Sequence, residues 1–311
     1  MSGILIFGGL MIDQYYMIDR FPRRGQDGII TNSLEFVGGC AINMATTIKN
    51  LGGHPYVVSY LGNDEKGKRC LDYLKNQGMS SDCVQIENSV KQAETGYCLV
   101  FVEPDGERTF LTKEGIEGKF DDSLLSEAII NECNVVAVTG YYLIGNEGEK
   151  KVAVLKDLKK NGYRIVFDPS PLVSYIDVPV LTKIIELSDL IVPNWEESKY
   201  LAELGKDNAE SPDRLKWAKA KADSGTLIVL TMGEVGGIVF HKSGSFEYNS
   251  IPVEVIDSTG AGDSFVGALA YGISKDWDFK KSLAVATRCA ALIVGINGPH
   301  GNFTTNWVDE L

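Results

Sequence analysis

Short apolar runs at residues 4–7, 56–60, 135–138, 164–167, 190–192 and 227–230 alternate with segments of helical periodicity. The helical segments are 41–51, 67–77, 150–161, 195–204, 212–224, 263–273 and 283–294. Alternation of this kind constrains the chain more than any other feature. It implies a parallel sheet covered by helices on both faces. The predicted class is α/β, with three layers (α/β/α) and a central, mostly parallel sheet. Ligands in such a fold sit beyond the carboxyl ends of the strands.

Two stretches break the pattern. Residues 29–36 and 95–111 alternate apolar with polar, and Pro104-Asp105-Gly106, between Val102 and Thr109, is a turn signal. These predict antiparallel strands outside the main sheet. They read as a small β-sheet lid formed by segments near 13–36 and 95–112; ordinary edge hairpins are the plainer alternative. No linker, repeat or low-complexity tract divides the chain, so residues 1–311 read as a single domain. At 44% hydrophobic residues it can bury a sizeable core.

The formal charge is −12, from 42 acidic and 30 basic side chains. Most of such a surface repels nucleic acid and anionic lipid. A site for a polyanion must therefore create positive potential locally, through backbone N–H groups, helix N-termini or a divalent metal. The six cysteines form no C-x-x-C pair and the three histidines stand far apart, which argues against zinc and against a disulfide framework. Reduced, buried thiols in a cytoplasmic protein are the expectation. The N-terminus reads as a first strand rather than a signal peptide, and no apolar run approaches the length of a membrane span.

The strongest motif is Asp257-Ser258-Thr259-Gly260-Ala261-Gly262-Asp263-Ser264-Phe265, between an extended apolar run at 251–256 and a helical pattern. Glycines let backbone amides approach an oxyanion with no Cβ in the way. Those amides and the helix N-terminus can cradle charge developing on a phosphoryl group. Asp263 would face that anion, and a carboxylate there suits a general base. Taken alone, a helix N-cap is an equally good account of Asp263.

This motif closely resembles the C-terminal signature of the PfkB, or ribokinase-like, family of carbohydrate and nucleoside kinases. Gly38-Gly39-Cys40-Ala41-Ile42-Asn43-Met44-Ala45 resembles its N-terminal signature. Further matches run nearly end to end: Gly8-Gly9 with Asp13, Gly62-Asn63-Asp64 with Gly67, Gly106-Glu107-Arg108-Thr109-Phe110, Asp168-Pro169, Pro193-Asn194 with Glu197, and Thr231-Met232-Gly233 with Gly236. The resemblance implies a ribokinase-like fold and an ATP-dependent sugar kinase. It implies Asp263 as catalytic base and Gly260, Ala261 and Gly262 as anion hole. Asp13, Gly39 and Asn43 match binders of substrate hydroxyls, and Arg108 is a candidate for a substrate carboxylate or phosphate. Asn194, Thr231, Gly233 and Gly236 match nucleotide-binding positions, and Glu197 belongs to the magnesium network. Asp257 and Thr259 match positions that hold a monovalent cation in some members. The implied cofactors are ATP and Mg²⁺, with K⁺ in some members, and the lid is implied as a homodimer contact.

The residue types suit those roles. Asp13 can accept bonds from two hydroxyls, and Asn43 can donate and accept. Each also has a plain structural reading: Asp13 as a turn residue, Asn43 as a helix-start residue, Arg108 as a salt-bridge partner in the lid. Position 40 is Cys where ribokinase-type members often carry Lys, and the pattern at 106–112 looks more like members acting on ketoses or other larger sugars. A ketose or related sugar is therefore favoured over ribose. A nucleoside kinase of the same superfamily is the alternative, with Tyr15, Tyr16, Tyr97, Phe101, Tyr141 or Tyr142 supplying a slot for a base. A catalytically dead sugar-binding regulator is the third, although it requires loss of the base or the anion hole. Two glycine patterns are rejected. Gly62 to Lys68 satisfies G-x-x-x-x-G-K, but Arg69 follows where a P-loop needs Ser or Thr, and Phe7-Gly8-Gly9 lacks dinucleotide-binding spacing.

Overall fold

The structure is a computed structural model that describes residues 3–90, 93–204 and 213–310. The strands are β1 (Gly3–Phe7), β2 (Met11–Ile18), β3 (Ile30–Gly38), β4 (His54–Gly62), β5 (Val84–Glu87), β6 (Tyr97–Val102), β7 (Arg108–Lys113), β8 (Cys133–Thr139), β9 (Arg164–Asp168), β10 (Leu190–Ile191), β11 (Leu227–Thr231), β12 (Gly237–His241) and β13 (Gly244–Tyr248). The helices are α1 (Cys40–Asn50), α2 (Glu65–Asn76), α3 (Glu127–Glu132), α4 (Gly140–Leu143), α5 (Gly148–Lys160), α6 (Val178–Leu187), α7 (Trp195–Glu203), α8 (Arg214–Asp223), α9 (Ala261–Ser274) and α10 (Phe279–Val294).

The main sheet has the order β13-β12-β11-β10-β9-β8-β1-β4-β5. It is parallel from β11 to β5 and closes with an antiparallel hairpin, β12 and β13. Strand β1 is buried at every position, and its side chains alternate between two cores. Ile4 and Ile6 join Ile42, Leu269 and Ala286 under α1, α9 and α10. Leu5 and Phe7 join Leu155, Ile184 and Ala218 under α5, α6 and α8. Each fully buried aliphatic or aromatic side chain contributes roughly 1.5–3 kcal/mol. The three-layer α/β/α arrangement follows from this alternation. The order reverses between β8 and β1, and at such a reversal a crevice opens beyond the strands' carboxyl ends.

The second sheet has the order β3-β2-β6-β7. Its two hairpin pairs are antiparallel, as expected, but β2 and β6 pair in parallel. The long connection through β4, α2 and β5 lets β6 run alongside β2 in the same direction, so the sheet is mixed.

Three further differences have local causes. Residues 251–256 form no strand. Their apolar side chains Ile251, Val253, Val255 and Ile256 are exposed, and Ile256 N–H bonds to the Val294 carbonyl at the end of α10. Helix α6 has no counterpart in the sequence reading: its Pro179 suggests a break but sits in the first turn, where proline is tolerated. The helix expected at 212–224 begins at Arg214 in the structure, and residue 212 lies outside the described residues.

Candidate active site

Glycine-started helices α1 and α9 meet at the crevice. Gly39 precedes α1 with φ 91° and Gly260 precedes α9 with φ 76°, and neither helix start has a side-chain cap. Both values lie where an L side chain is strained. A Cβ on Gly260 would also stand 1.8 Å from the Pro299 carbonyl oxygen. Around Gly262 the space is open, so the first turn of α9 presents its backbone to the crevice. The N–H groups there lack a side-chain acceptor, which suits an anion.

Asp263 lies in that first turn. Its Oδ2 accepts a 2.7 Å hydrogen bond from Asn43 Nδ2, across 220 residues of sequence. One turn further on, Thr47 donates to Ser264 Oγ at 2.9 Å. The Cys40 thiol is within hydrogen-bonding reach of the Asp263 carboxylate. Asn43 is buried, and its Oδ1 has no hydrogen-bond partner, an unsatisfied acceptor on the side chain that bonds Asp263.

Asp13, in β2, accepts from the backbone N–H of Gly39. Burial pushes its carboxyl up to about 7, and the Asp263 charge adds to the rise. Asp168 ends β9 and Glu197 lies in the first turn of α7. Burial raises both, and the charge of Asp263 is felt at each. Asp263 is itself raised by burial, while the Asn43 and Cys40 contacts oppose the rise. The charge of Asp263 thus reaches Asp13, Asp168 and Glu197, which come from three different elements. Sequence reading noted Asp168 within a motif but assigned it no role, because a lone Asp after a strand carries no spacing signal. Tyr141 was one of several aromatic candidates; its phenol feels Cys40, Asp263 and Asp168, which brings it to the same crevice.

Asn194 caps α7 through bonds from the Glu196 and Glu197 N–H groups. The Glu197 carboxylate accepts in return from the Asn194 backbone N–H at 2.9 Å and from its Nδ2 at 2.8 Å. Asn194 bridges to Thr231 at the end of β11. Asn194, Glu196 and Thr231, with Trp195, Met232 and Gly233, line a cleft of about 390 Å³. Gly233 and Gly236 have φ of 59° and 102°, and a Cβ on Gly236 would meet the Tyr248 carbonyl oxygen at 2.1 Å.

Arg108, at the start of β7, reaches Asp257 rather than the carboxylate group above. Its Nη2 stands 2.8 Å from Asp257 Oδ1, with both side chains largely buried. Asp257 also accepts from the N–H groups of Thr259 and Gly298. The rejected G-x-x-x-x-G-K segment holds no vacancy for phosphate: Asp64 caps α2, accepting from Gly67 N–H and from the Thr95 N–H and hydroxyl. All six cysteines are free thiols. Among the described residues, no three His, Cys, Asp or Glu side chains are grouped to hold a metal ion, and no helix is long and apolar enough to cross a membrane.

A parallel sheet whose order reverses between β8 and β1, with a buried carboxylate in the first turn of a glycine-started helix, is an α/β arrangement that can accommodate an anion. The model of the pfkB family carbohydrate kinases matches residues 1–305. The chain belongs to this family and is an ATP-dependent kinase. It is similar to the sugar kinase YegV of Escherichia coli, at 26% identity over 96% of this chain and 90% of the relative. The ribokinase of Thermotoga maritima has a similar fold, with a TM-score of 0.83, 20% identity and coverage of 100% of this chain and 98% of that one. The same holds for a Burkholderia thailandensis nucleoside kinase in complex with inosine, with a TM-score of 0.80, 22% identity and coverage of 99% and 95%.

Proposed function

We propose that the chain transfers the γ-phosphate of ATP to a hydroxyl of an uncharged sugar, with a ketose or related sugar favoured over ribose. The observation that carries this reading is the 2.7 Å bond between Asn43 and Asp263, which joins the hydroxyl-binding helix to the helix that faces the phosphates. In this reading Asp263 takes the proton of the acceptor hydroxyl. The oxygen attacks the γ-phosphorus, the bond to the β–γ bridging oxygen breaks, and ADP leaves. Backbone amides of Gly260, Ala261 and Gly262 receive the charge that develops on the moving phosphoryl group. Asp13, Gly39 and Asn43 grip the sugar; Asn194, Thr231, Gly233 and Gly236 border the nucleotide.

An uncharged acceptor fits the electrostatics. Asp263 and the three carboxylates that feel its charge would repel an anionic acceptor, and Arg108, the cation that a sugar phosphate or sugar acid would need, is held by Asp257. Cys40 in place of a lysine supports a sugar other than ribose. Mg²⁺ usually keeps several waters and shares one or two carboxylates with phosphates. Asp168 and Glu197 are the carboxylates that would meet it, and burial is the first cause of the rise in both. When bound with ATP it supplies neutralisation of the phosphate oxygens. A K⁺ ion fits less well, because a guanidinium already occupies the carboxylate of Asp257.

In the same reading the whole chain is one domain and the four-stranded sheet is a lid over the acceptor. Exposed Ile30, Leu34, Phe110 and Leu111 on its edge strands support pairing with a second copy. The nucleoside reading rests on Tyr141, an aromatic ring at the acceptor end of the crevice. A phosphorylation screen with MgATP over neutral sugars, sugar phosphates and nucleosides tests the assignment. Neutral sugars, ketoses foremost, are expected to be the best acceptors. Higher turnover on nucleosides or sugar phosphates would replace it.

A further inference from the structure

The buried ion pair between the two sheets bears on how the anion-hole turn is held. Asp257 opens that turn and is 5% exposed. Its Oδ1 accepts from Thr259 N–H at 2.9 Å, just before Gly260, and its Oδ2 accepts from Gly298 N–H at 3.1 Å. The neighbouring Pro299 carbonyl lies directly behind Gly260. One carboxylate therefore joins the turn to the segment that backs it. A buried carboxylate needs a compensating charge. Arg108 supplies it from the other sheet: Nη2 at 2.8 Å from Oδ1, with a second, longer bond to the Ile256 carbonyl at 3.4 Å. Its Nη1 is fixed by the Gly106 carbonyl of its own hairpin at 2.8 Å. Arg108 Nε, Thr259 Oγ1 and Tyr15 Oη are all buried without a hydrogen-bond partner. The Tyr15 phenol feels Asp257, Arg108 and Thr259 together, so a lid residue completes the same cluster.

We propose that the Arg108 guanidinium is the built-in cation of the anion-hole turn, a positioning residue that makes a monovalent metal ion unnecessary there. This deepens the kinase reading and rests on it. A monovalent ion there would need the Asp257 carboxylate, and the guanidinium already engages it. Because Arg108 belongs to β7, the turn is set only when the small sheet sits down on the crevice. Acceptor enclosure and phosphate binding are thereby linked through one ion pair.

The test needs no acceptor. Affinity for the non-hydrolysable analogue Mg·AMP-PNP is measured by calorimetry in potassium, sodium and tetramethylammonium chloride at equal ionic strength, with hydrogen exchange followed over residues 257–263. The wild-type chain is expected to bind within about two-fold in the three salts, with the turn equally protected. Arg108→Ala is expected to lose ~10-fold in tetramethylammonium and to regain it with potassium or millimolar guanidinium. Arg108→Lys is expected to stay close to wild type. The proposal is overturned by a ~10-fold potassium requirement in the wild-type chain, or by an alanine variant indifferent to every salt. If Arg108→Ala does not fold, the wild-type salt series and the lysine variant still decide. A negative phosphorylation screen with the expected salt series would remove the proposed substrate and leave this inference standing.

Discussion

Helices α1 and α9 begin in the same way and put the beginning to opposite uses. Each follows a glycine at positive φ, and each lacks a side-chain cap. At α1 the protein supplies its own anion: the Asp13 carboxylate accepts from Gly39 N–H. At α9 the first turn is left open, with free space over Gly262. Helix α2, by contrast, is closed by Asp64 and helix α7 by Asn194. A helix terminus filled by an internal carboxylate can hold that carboxylate in place for a hydroxyl ligand. A terminus left unfilled is available to an incoming phosphoryl group. The chain's acidity makes the difference consequential, since a surface of net charge −12 must raise positive potential locally to hold an anion.

The sharpest break of this comparison is at Asp263. Asp263→Asn is expected to bind Mg·AMP-PNP as the wild type does and to lose ~10²–10⁴ in turnover on the acceptor that the screen identifies. Near-normal turnover would remove Asp263 as the base. Next comes the open terminus itself. Gly260→Ala puts a methyl group against the Pro299 carbonyl at a backbone angle alanine resists, so a loss of ~10² or more in turnover is expected. A variant that folds, judged by circular dichroism, and keeps full activity would show that this turn does not carry the phosphoryl charge.

At the filled terminus, Asp13→Ala should raise KM for the sugar by ~10-fold or more, with the affinity for Mg·AMP-PNP alone unchanged. Equal weakening of both ligands would mean that the two termini do not divide the labour. Asp13 also gives a pH signature. Its carboxyl lies at about 7 in the folded chain, against ~3.9 for an unfolded one. Between those values the folded state binds the extra proton, so this group's contribution to stability falls as pH rises through the window and levels off above it. Asp13→Asn removes the titration. Its melting temperature relative to wild type should therefore climb from pH 5 to pH 8; a flat difference would contradict the raised carboxyl. The smallest effect is expected at a capped terminus: Asn194→Ala should cost about 1 kcal/mol in denaturant unfolding. A loss within error would mean that Glu197 alone closes α7.

Much of the scaffold was legible because β1, β8, β9 and β11 carry buried apolar runs, and a parallel sheet leaves few other ways to bury them. The run at 251–256 is also apolar, yet it pairs with no strand and leaves Ile251, Val253, Val255 and Ile256 exposed, because apolar composition alone does not supply a sheet edge. Helix α6 was not among the segments read as helical, although its proline stands in the first turn, where it is tolerated. The glycine turns were legible because local sequence dictates local backbone. The contacts between distant segments were not. Nothing near Arg108 in sequence announces Asp257, and nothing near Cys40 announces that its thiol will lie beside Asp263. Such pairs are products of tertiary packing, and the residue types allow several partners for each.

The crossing of α1 and α9 has a consequence for how this enzyme can diversify. A Cβ on Gly267 would stand 2.8 Å from the Met44 carbonyl oxygen, so α9 presents bare backbone where α1 passes. That close approach calibrates the spacing of Asn43 from Asp263, and of Thr47 from Ser264, from inside the core. Side chains at the rim of the crevice can be exchanged, and the acceptor range retuned, without disturbing this gauge. A single methyl at Gly267, well behind the reacting atoms, would instead push the two helices apart and detune every acceptor alike. If the proposed site is right, drift in specificity is cheap at the strands of the small sheet, and drift in the helix spacing is blocked by one glycine in the core.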